Sequence, residues 1–235
     1  MKFGRNTNFD KDFLLKNMMG PNCVRIAEEL TQKIQLSSEM RILDLGCGTG
    51  LTSIFLAKEF GAQVFAADLW IKPTENYERF KKFGFENQII PIHAEAHELP
   101  FAHHYFDAII SIDAYYYFGA EPDYLDKHIV PLIKKHGLIA VSVPGLQKDF
   151  SQGVPDALKP YWQENMNFYS RNWWKDLWEL SPNIVIEQCF SHQCHKEAWK
   201  DWLECDNPYA KTDVKMMEAE NGNYFDTIGL IAAVK

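Results

Sequence analysis

The order of elements along this 235-residue chain predicts an α/β fold, a mostly parallel seven-stranded sheet with helices on both faces. Three observations carry that expectation. Short β-rich apolar runs alternate with helical patterns as far as about residue 145. A glycine cluster, Gly46-Cys47-Gly48-Thr49-Gly50, stands between the first such run and the helix after it. Two more β-rich runs close the chain beyond an aromatic-rich interruption.

Residues 22–35 read as a helix, because Val24, Ile26, Ala27, Leu30 and Ile34 recur at helical spacing behind Gly20-Pro21, with Asn22 as N-cap. Residues 40–45 are a buried strand, and residues 51–60 a helix closed by Gly61. A strand at 63–69, a helix at 74–83 ended by Gly84, and strands at 88–93 and 106–112 continue the alternation. Residues 122–135 read as a helix interrupted near Pro131 and ended by Gly137, before a fifth strand at 138–143. Strand–helix alternation implies parallel pairing through right-handed crossovers.

The last third breaks the pattern. Residues 146–180, with Tyr161, Trp162, Phe168, Tyr169, Trp173, Trp174 and Trp178, predict an aromatic-rich lid insertion. Strands at 183–190 and 227–234 then flank a polar, helical insertion over roughly 191–226. With no repeat and no low-complexity linker, one domain is expected over 1–235. Its parts are an N-terminal helical cover (1–36, including Phe3, Phe13, Met18 and Met19), a core (37–145), the lid, and closing strands with an insertion (181–235).

Bulk composition narrows the partners. The chain is 46% hydrophobic and 24% charged, within the globular range, and no apolar run reaches the roughly 20 residues that span a bilayer. The opening MKFGRNTNFDKDF lacks the apolar core of a signal peptide. Five scattered cysteines suit reduced thiols better than a disulfide framework, so a cytoplasmic protein without membrane association is expected. Net charge is −8 with no basic stripe, which argues against nucleic acid and for a small-molecule substrate. Oligomeric state is not legible.

The glycine cluster says what kind of ligand to expect. Glycines at a strand–helix turn let the backbone approach a ligand closely. A dinucleotide loop reads G-x-G-x-x-G and seats a pyrophosphate on the helix N-terminus. Here the spacing is G-x-G-x-G, and Asp44 precedes it by two positions. That carboxylate would repel a pyrophosphate and attract an ammonium, directly or through water. A turn-capping role for Asp44 is the alternative.

The string ILDLGCGTG, residues 42–50, resembles motif I of class I S-adenosylmethionine-dependent methyltransferases. The likeness is to the small-molecule group related to ubiquinone and menaquinone biosynthesis enzymes, and it extends over about residues 40–145. It implies a Rossmann-like class I methyltransferase fold and S-adenosyl-L-methionine as cofactor, bound by Asp44, Gly46, Cys47, Gly48 and Gly50. Asp68, about 20 residues beyond the first glycine, matches the acid that holds both ribose hydroxyls; a helix cap is the alternative. Leu69 and Trp70 would lie along the adenine. HAEAHELPF resembles the family's GDAEHLPF, so Glu95 would accept from the adenine amino group and Ala96 would offer its N–H to the ring. Ser111 and Ile112 would border the cofactor. Lys135-His136-Gly137 replaces the family's Pro-Gly-Gly turn.

A sulfonium is an activated methyl donor, so the protein must supply alignment, desolvation and, for a protonated acceptor, a base. Asp113 and Tyr116, after the fourth strand, are the catalytic candidates, with Tyr115 and Tyr117 beside them; packing beneath the aromatic insertion is the alternative for the tyrosines. Cys189, His192, Cys194 and His195 are possible zinc ligands, but strand alternation would split them between two faces, so no metal site is expected and one histidine remains a candidate base. The leading function is methyl transfer to a small molecule. The alternatives are an S-adenosylmethionine-binding sensor or partner subunit without transfer, and an NAD-dependent oxidoreductase.

Overall fold

A computed structural model of the chain describes residues 9–235, so Phe3 of the expected cover lies outside the described residues. Its sheet contains β1 (Arg41–Leu45), β2 (Gln63–Asp68), β3 (Ile89–His93), β4 (Phe106–Ile112), β5 (Ile133–Leu146), β6 (Ile184–Ser191) and β7 (Phe225–Val234). The order is β3-β2-β1-β4-β5-β7-β6. β1 to β5 pair in parallel, and β7 runs antiparallel between β5 and β6. This is the mostly parallel seven-stranded sheet that the element order predicts.

The pleat sorts the core into two layers. Ile42, Val64, Ala108, Ile110 and Ala140 face one side, where α2 (Cys23–Thr31) and α3 (Leu51–Phe60) cover them, with α1 (Lys11–Asn17) before these two helices and α4 (Pro73–Lys82) after. Leu43, Leu45, Phe65, Ile109 and Val141 face the other, against Tyr115, Tyr124, Ile129 and α5 (Arg171–Glu179). Strands covered on both faces read as near-continuous apolar runs, which is why β4 stands out in the sequence. Local chemistry sets the ends. Asn22 Oδ1 accepts from Val24 and Arg25 N–H to cap α2, and Gly61, left-handed at φ 69°, stops α3.

The segment 122–135 departs from expectation. In place of one helix there is a single π-helical turn, Leu125–Ile129, then a 3-10 turn, Val130–Leu132, and β5 already begins at Ile133. Pro131 has no N–H to continue an α-helix, and the chain tightens there instead. Nor does Gly137 end an element. Phe106 pairs with Ile133 and Ala108 with Leu138, so residues 134–137 bulge out of a continuous strand.

The aromatic stretch 146–180 divides in two. Trp174 and Trp178, on α5, are fully buried under the sheet beside Tyr115, where truncating either would cost about 3–5 kcal/mol. Residues 163–168 instead reach the open ends of the strands. The polar stretch 191–226 holds α6 (His195–Leu203) and α7 (Pro208–Glu220). Asp201 of α6 accepts from Asn22 Nδ2 at 2.7 Å and Arg25 Nε at 2.5 Å, which ties α6 to the first turn of α2. Among the described residues no helix is long and apolar enough to cross a membrane.

Candidate functional site

The C-terminal ends of β1, β2 and β4 open on a cavity of about 570 Å³. It lies where the crossovers diverge between β1 and β4, the usual ligand position in an open α/β sheet. Ser111 does not line it. Its hydroxyl, fully buried, donates to the Leu45 carbonyl at 2.7 Å and fastens β4 to β1 just below.

The glycine loop forms the floor. Gly46 and Gly48 take φ of 72° and 53°, the left-handed region that favours glycine, and both line the cavity with Cys47. Gly46 and Cys47 N–H both donate to the Ala67 carbonyl, at 2.8 and 3.1 Å, strapping the loop to the end of β2. Burial, then Asp44 and Asp68, raise the Cys47 thiol well above its ordinary pKa, so it stays neutral. Gly50 does not line the cavity. It opens α3 with its Cα against the Phe80 ring, so its part is to shape the turn.

Asp44 is also absent from the wall. Strand alternation puts it on the α3 face with Ile42, where its Oδ2 accepts from the Thr52 and Ser53 hydroxyls at 2.6 Å each. Its Oδ1 is buried without a hydrogen-bond partner, and burial pushes its pKa up to about 6 despite the two hydroxyls. Direct contact with a ligand ammonium therefore does not follow. Asp44 lies beneath the floor.

Asp68 does line the cavity. Its Oδ2 accepts from Gly48 N–H at 2.8 Å, and its Oδ1 from Trp70 and Ile71 N–H at 2.8 and 2.9 Å. One carboxylate thus organises both the glycine loop and the turn after β2, and it caps no helix, since Lys72 is the N-cap of the helix that follows. Leu69 and Trp70 form an exposed rim, with Trp70 edge-on to Tyr117 at 5.1 Å. Glu95 and Ala96 border the same end. The His97 backbone N–H donates to Glu95 Oε2 and His97 Nδ1 lies 2.8 Å from Oε1. Burial alone would raise the Glu95 pKa, but those contacts together outweigh it and lower the pKa.

The far end holds Asp113, Tyr116, Tyr117, Phe118 and Phe168. Asp113 has a positive φ of 57°, an uncommon conformation for a non-glycine residue, and Gly20 packs against its Oδ2. Burial, then the charge of Asp213, pushes the Asp113 pKa up to about 8. Tyr116 stacks within 4.0 Å of Tyr117 and edge-on to Phe168, while Tyr115 is core. The tyrosines therefore split between wall and core.

Several wall residues carry no motif in the sequence. Trp199, Trp202, Tyr209, Asp213 and Met216 come from α6 and α7, within the stretch that reads as a polar insertion. Trp199 and Trp202 share one helix face, and Trp202 Nε1 donates to Asp213 Oδ2 at 2.8 Å. The three-residue tryptophan spacing is the one signal of this wall that the sequence offers.

Of the four suspected zinc ligands only two converge. His192 and Cys194 meet Glu29 of α2, their ligand atoms all within 4.8 Å of one another, whereas Cys189 lies at Arg171 and His195 at Thr227. Glu29 accepts from Gln193 and Cys194 N–H at 2.9 Å each. His192 Nδ1 is 3.6 Å from Glu29 Oε2, beyond hydrogen-bond range.

Glycine floor, terminal acid of β2 and acidic rim together line one end of the cavity. Among the described residues no lysine or arginine lines it, which leaves a dinucleotide's two phosphates unpaired. The family profile described as "Methyltransferase domain" matches residues 42–137. Residues 42–137 therefore carry a methyltransferase domain. Over 119 residues this domain is 27% identical to the methyltransferase GfsG of Streptomyces halstedii, a match covering 50% of the chain and 42% of that protein. The chain thus spans less than half of that curated relative.

Solved structures place the methyltransferase domain by fold alone. Phosphoethanolamine N-methyltransferase 2 of Haemonchus contortus, solved with S-adenosyl-L-methionine, superposes with a TM-score of 0.72 at 18% identity, covering 98% of this chain and 58% of the other. The [4+2]-cyclase SpnF superposes at 0.70 and 14% identity, covering 95% and 92%. The same fold therefore appears under both transferase and cyclase names.

Proposed function

We propose that the chain transfers a methyl group from S-adenosyl-L-methionine to a small-molecule acceptor by in-line displacement. The observation that carries this reading is Asp68, which lines the cavity at the end of β2 while its Oδ2 holds Gly48 of the motif I loop. Gly46, Cys47 and Gly48 would hold the amino-acid tail, Asp68 the ribose hydroxyls, and Leu69, Glu95 and Ala96 the adenine. The bound cofactor supplies an electrophilic methyl group. The chain supplies alignment by the aromatic walls, exclusion of water, and at Asp113 a carboxyl group that can take a proton when a bound cation restores its charged form; Tyr116 orients the acceptor. The chain's net charge of −8 favours a metabolite over nucleic acid, and five free cysteines suit a reducing compartment, the cytoplasm.

Calorimetric titration with S-adenosylmethionine, S-adenosylhomocysteine and NAD tests the cofactor assignment. Micromolar binding of the first two with no response to NAD is expected; NAD binding alone would restore the oxidoreductase reading. A second reading, cofactor binding without methyl transfer, draws on the fold shared with a cyclase. It predicts binding but no release of S-adenosylhomocysteine from any metabolite pool.

A further inference from the structure

The acceptor end of the cavity carries its own chemical signature. Its two ionisable carboxylates, Asp113 after β4 and Asp213 on α7, stand among Tyr116, Trp199 and Trp202. On the reading that this cavity is a methyl-transfer site, we propose that the acceptor is a small amine that enters as its ammonium ion and is held between Asp113 and Asp213 against these rings.

Four observations converge on that class. No hydrogen bond from the described residues reaches the Asp113 carboxylate, which is set against Gly20 on one side and the cavity on the other. Asp213 keeps one oxygen committed to Trp202 Nε1 at 2.8 Å, so the same contact orients the carboxylate and an indole face. Burial disfavours the charged form of both acids, and the charge of Asp213 adds to the strain on Asp113. A cation between them relieves both penalties, and aromatic faces attract it further. Finally, among the described residues no lysine or arginine lines the cavity, so a carboxylate or phosphate acceptor would meet two acids and no counter-charge.

The same arrangement serves the transfer step. The ammonium gives one N–H proton to the Asp113 carboxylate. The freed lone pair forms the new N–C bond to the methyl carbon as the C–S bond breaks, and that bonding pair remains on sulfur. The product is an N-methylammonium ion, a neutral thioether and a protonated Asp113, so charge is conserved. Asp113 touches the reacting nitrogen; Asp213 is a specificity residue.

The test uses the intact chain saturated with S-adenosylhomocysteine, with binding read by quenching of tryptophan fluorescence. Phenethylammonium, 2-phenylethanol and 3-phenylpropionate serve as probes of matched size. The ammonium should bind at least about tenfold tighter than the alcohol, and the carboxylate weakest. Asp213→Asn should erase that preference while leaving S-adenosylhomocysteine affinity unchanged. Equal binding of the three probes by the native chain, a measurement independent of how the variant folds, overturns the proposal, as does an ammonium preference that survives Asp213→Asn. Failure of the native chain to bind S-adenosylhomocysteine at all is a different result, and it removes the methyl-transfer reading itself.

Discussion

Asp44 and Asp68 are both motif acids, yet they do different work, and position along the sheet separates them. Asp44 sits mid-strand on the α3 face, whereas Asp68 ends β2 and turns into the cavity. Both share one face of the sheet, since Asp44 pairs with Ala66, two residues before Asp68, so the difference lies in how far along the sheet each acid stands. Motif matching alone hides it, and likewise puts Ser111 at the cofactor when its hydroxyl holds Leu45. Asp68→Asn keeps one of the two acceptor oxygens and should weaken S-adenosylmethionine by about 1.5–3 kcal/mol, with a smaller fall in melting temperature than Asp68→Ala. Asp68→Ala should lose similar affinity and also stability, because Gly48, Trp70 and Ile71 lose their acceptor. Unchanged affinity in Asp68→Asn, by calorimetry, would remove Asp68 from the binding site. Asp44 makes a pH prediction of opposite character. Burial holds its folded pKa up near about 6, so its contribution to stability is complete below the ordinary carboxylate pKa and fades as pH rises through that value. Asp44→Asn should flatten the slope of unfolding free energy between about pH 4 and about pH 6, measured by urea titration. A slope that persists in the variant would assign it to another group.

Element boundaries are legible wherever local chemistry decides them: Asn22 caps α2, Gly61 ends α3, and the apolar runs of β1, β2 and β4 sit within a residue of their expected limits. They fail at 122–135, where Pro131 and the pull of pairing with Phe106 draw residues 133–135 into β5. Long-range pairing of this kind leaves no trace in a short window of sequence. The start of α6 is another such case, since the Gln193 and Cys194 N–H groups just before it are met by Glu29, far away on α2. Burial alone would raise the Glu29 pKa, but the His192 ring and the Gln193 and Cys194 N–H groups outweigh it and hold the pKa down to about 2. A carboxylate held low adds stability that is present above its ordinary pKa and is lost as pH falls toward the depressed one. Glu29→Gln should therefore cost about 1–2 kcal/mol near neutrality, discounted for partial solvent exposure, and progressively less as pH drops below about 4. Urea unfolding at several pH values reads this. A cost that does not change with pH would mean that packing, rather than charge, joins α2 to α6.

At the scale of the molecule, the cavity has two halves of different origin. The cofactor end is built from Gly46 to Ala96, inside the matched residues 42–137, so a short motif suffices to read it. The acceptor end adds to Asp113 and Tyr116 residues from before that stretch, Gly20 and Cys23, and from after it, Met166, Trp199, Trp202 and Asp213, elements brought together by the sheet and by contacts such as Asn22 and Arg25 with Asp201. That is why the cofactor is legible in the sequence and the acceptor is not. The division has a consequence for dynamics. Each ligand should stabilise the half that it touches, because a ligand that binds only the native state lowers the population of local openings that break its site. In amide hydrogen exchange, S-adenosylhomocysteine should protect residues 46–50 and 68–71 while leaving α6 and α7 unchanged. Adding phenethylammonium should then protect α6 and α7, by up to about 100-fold at concentrations about 100 times its Kd. If S-adenosylhomocysteine alone protects α6 and α7 to the same degree, the two halves form one cooperative unit. Acceptor selectivity would then depend on cofactor binding, and Asp213 could not be altered without changing both affinities.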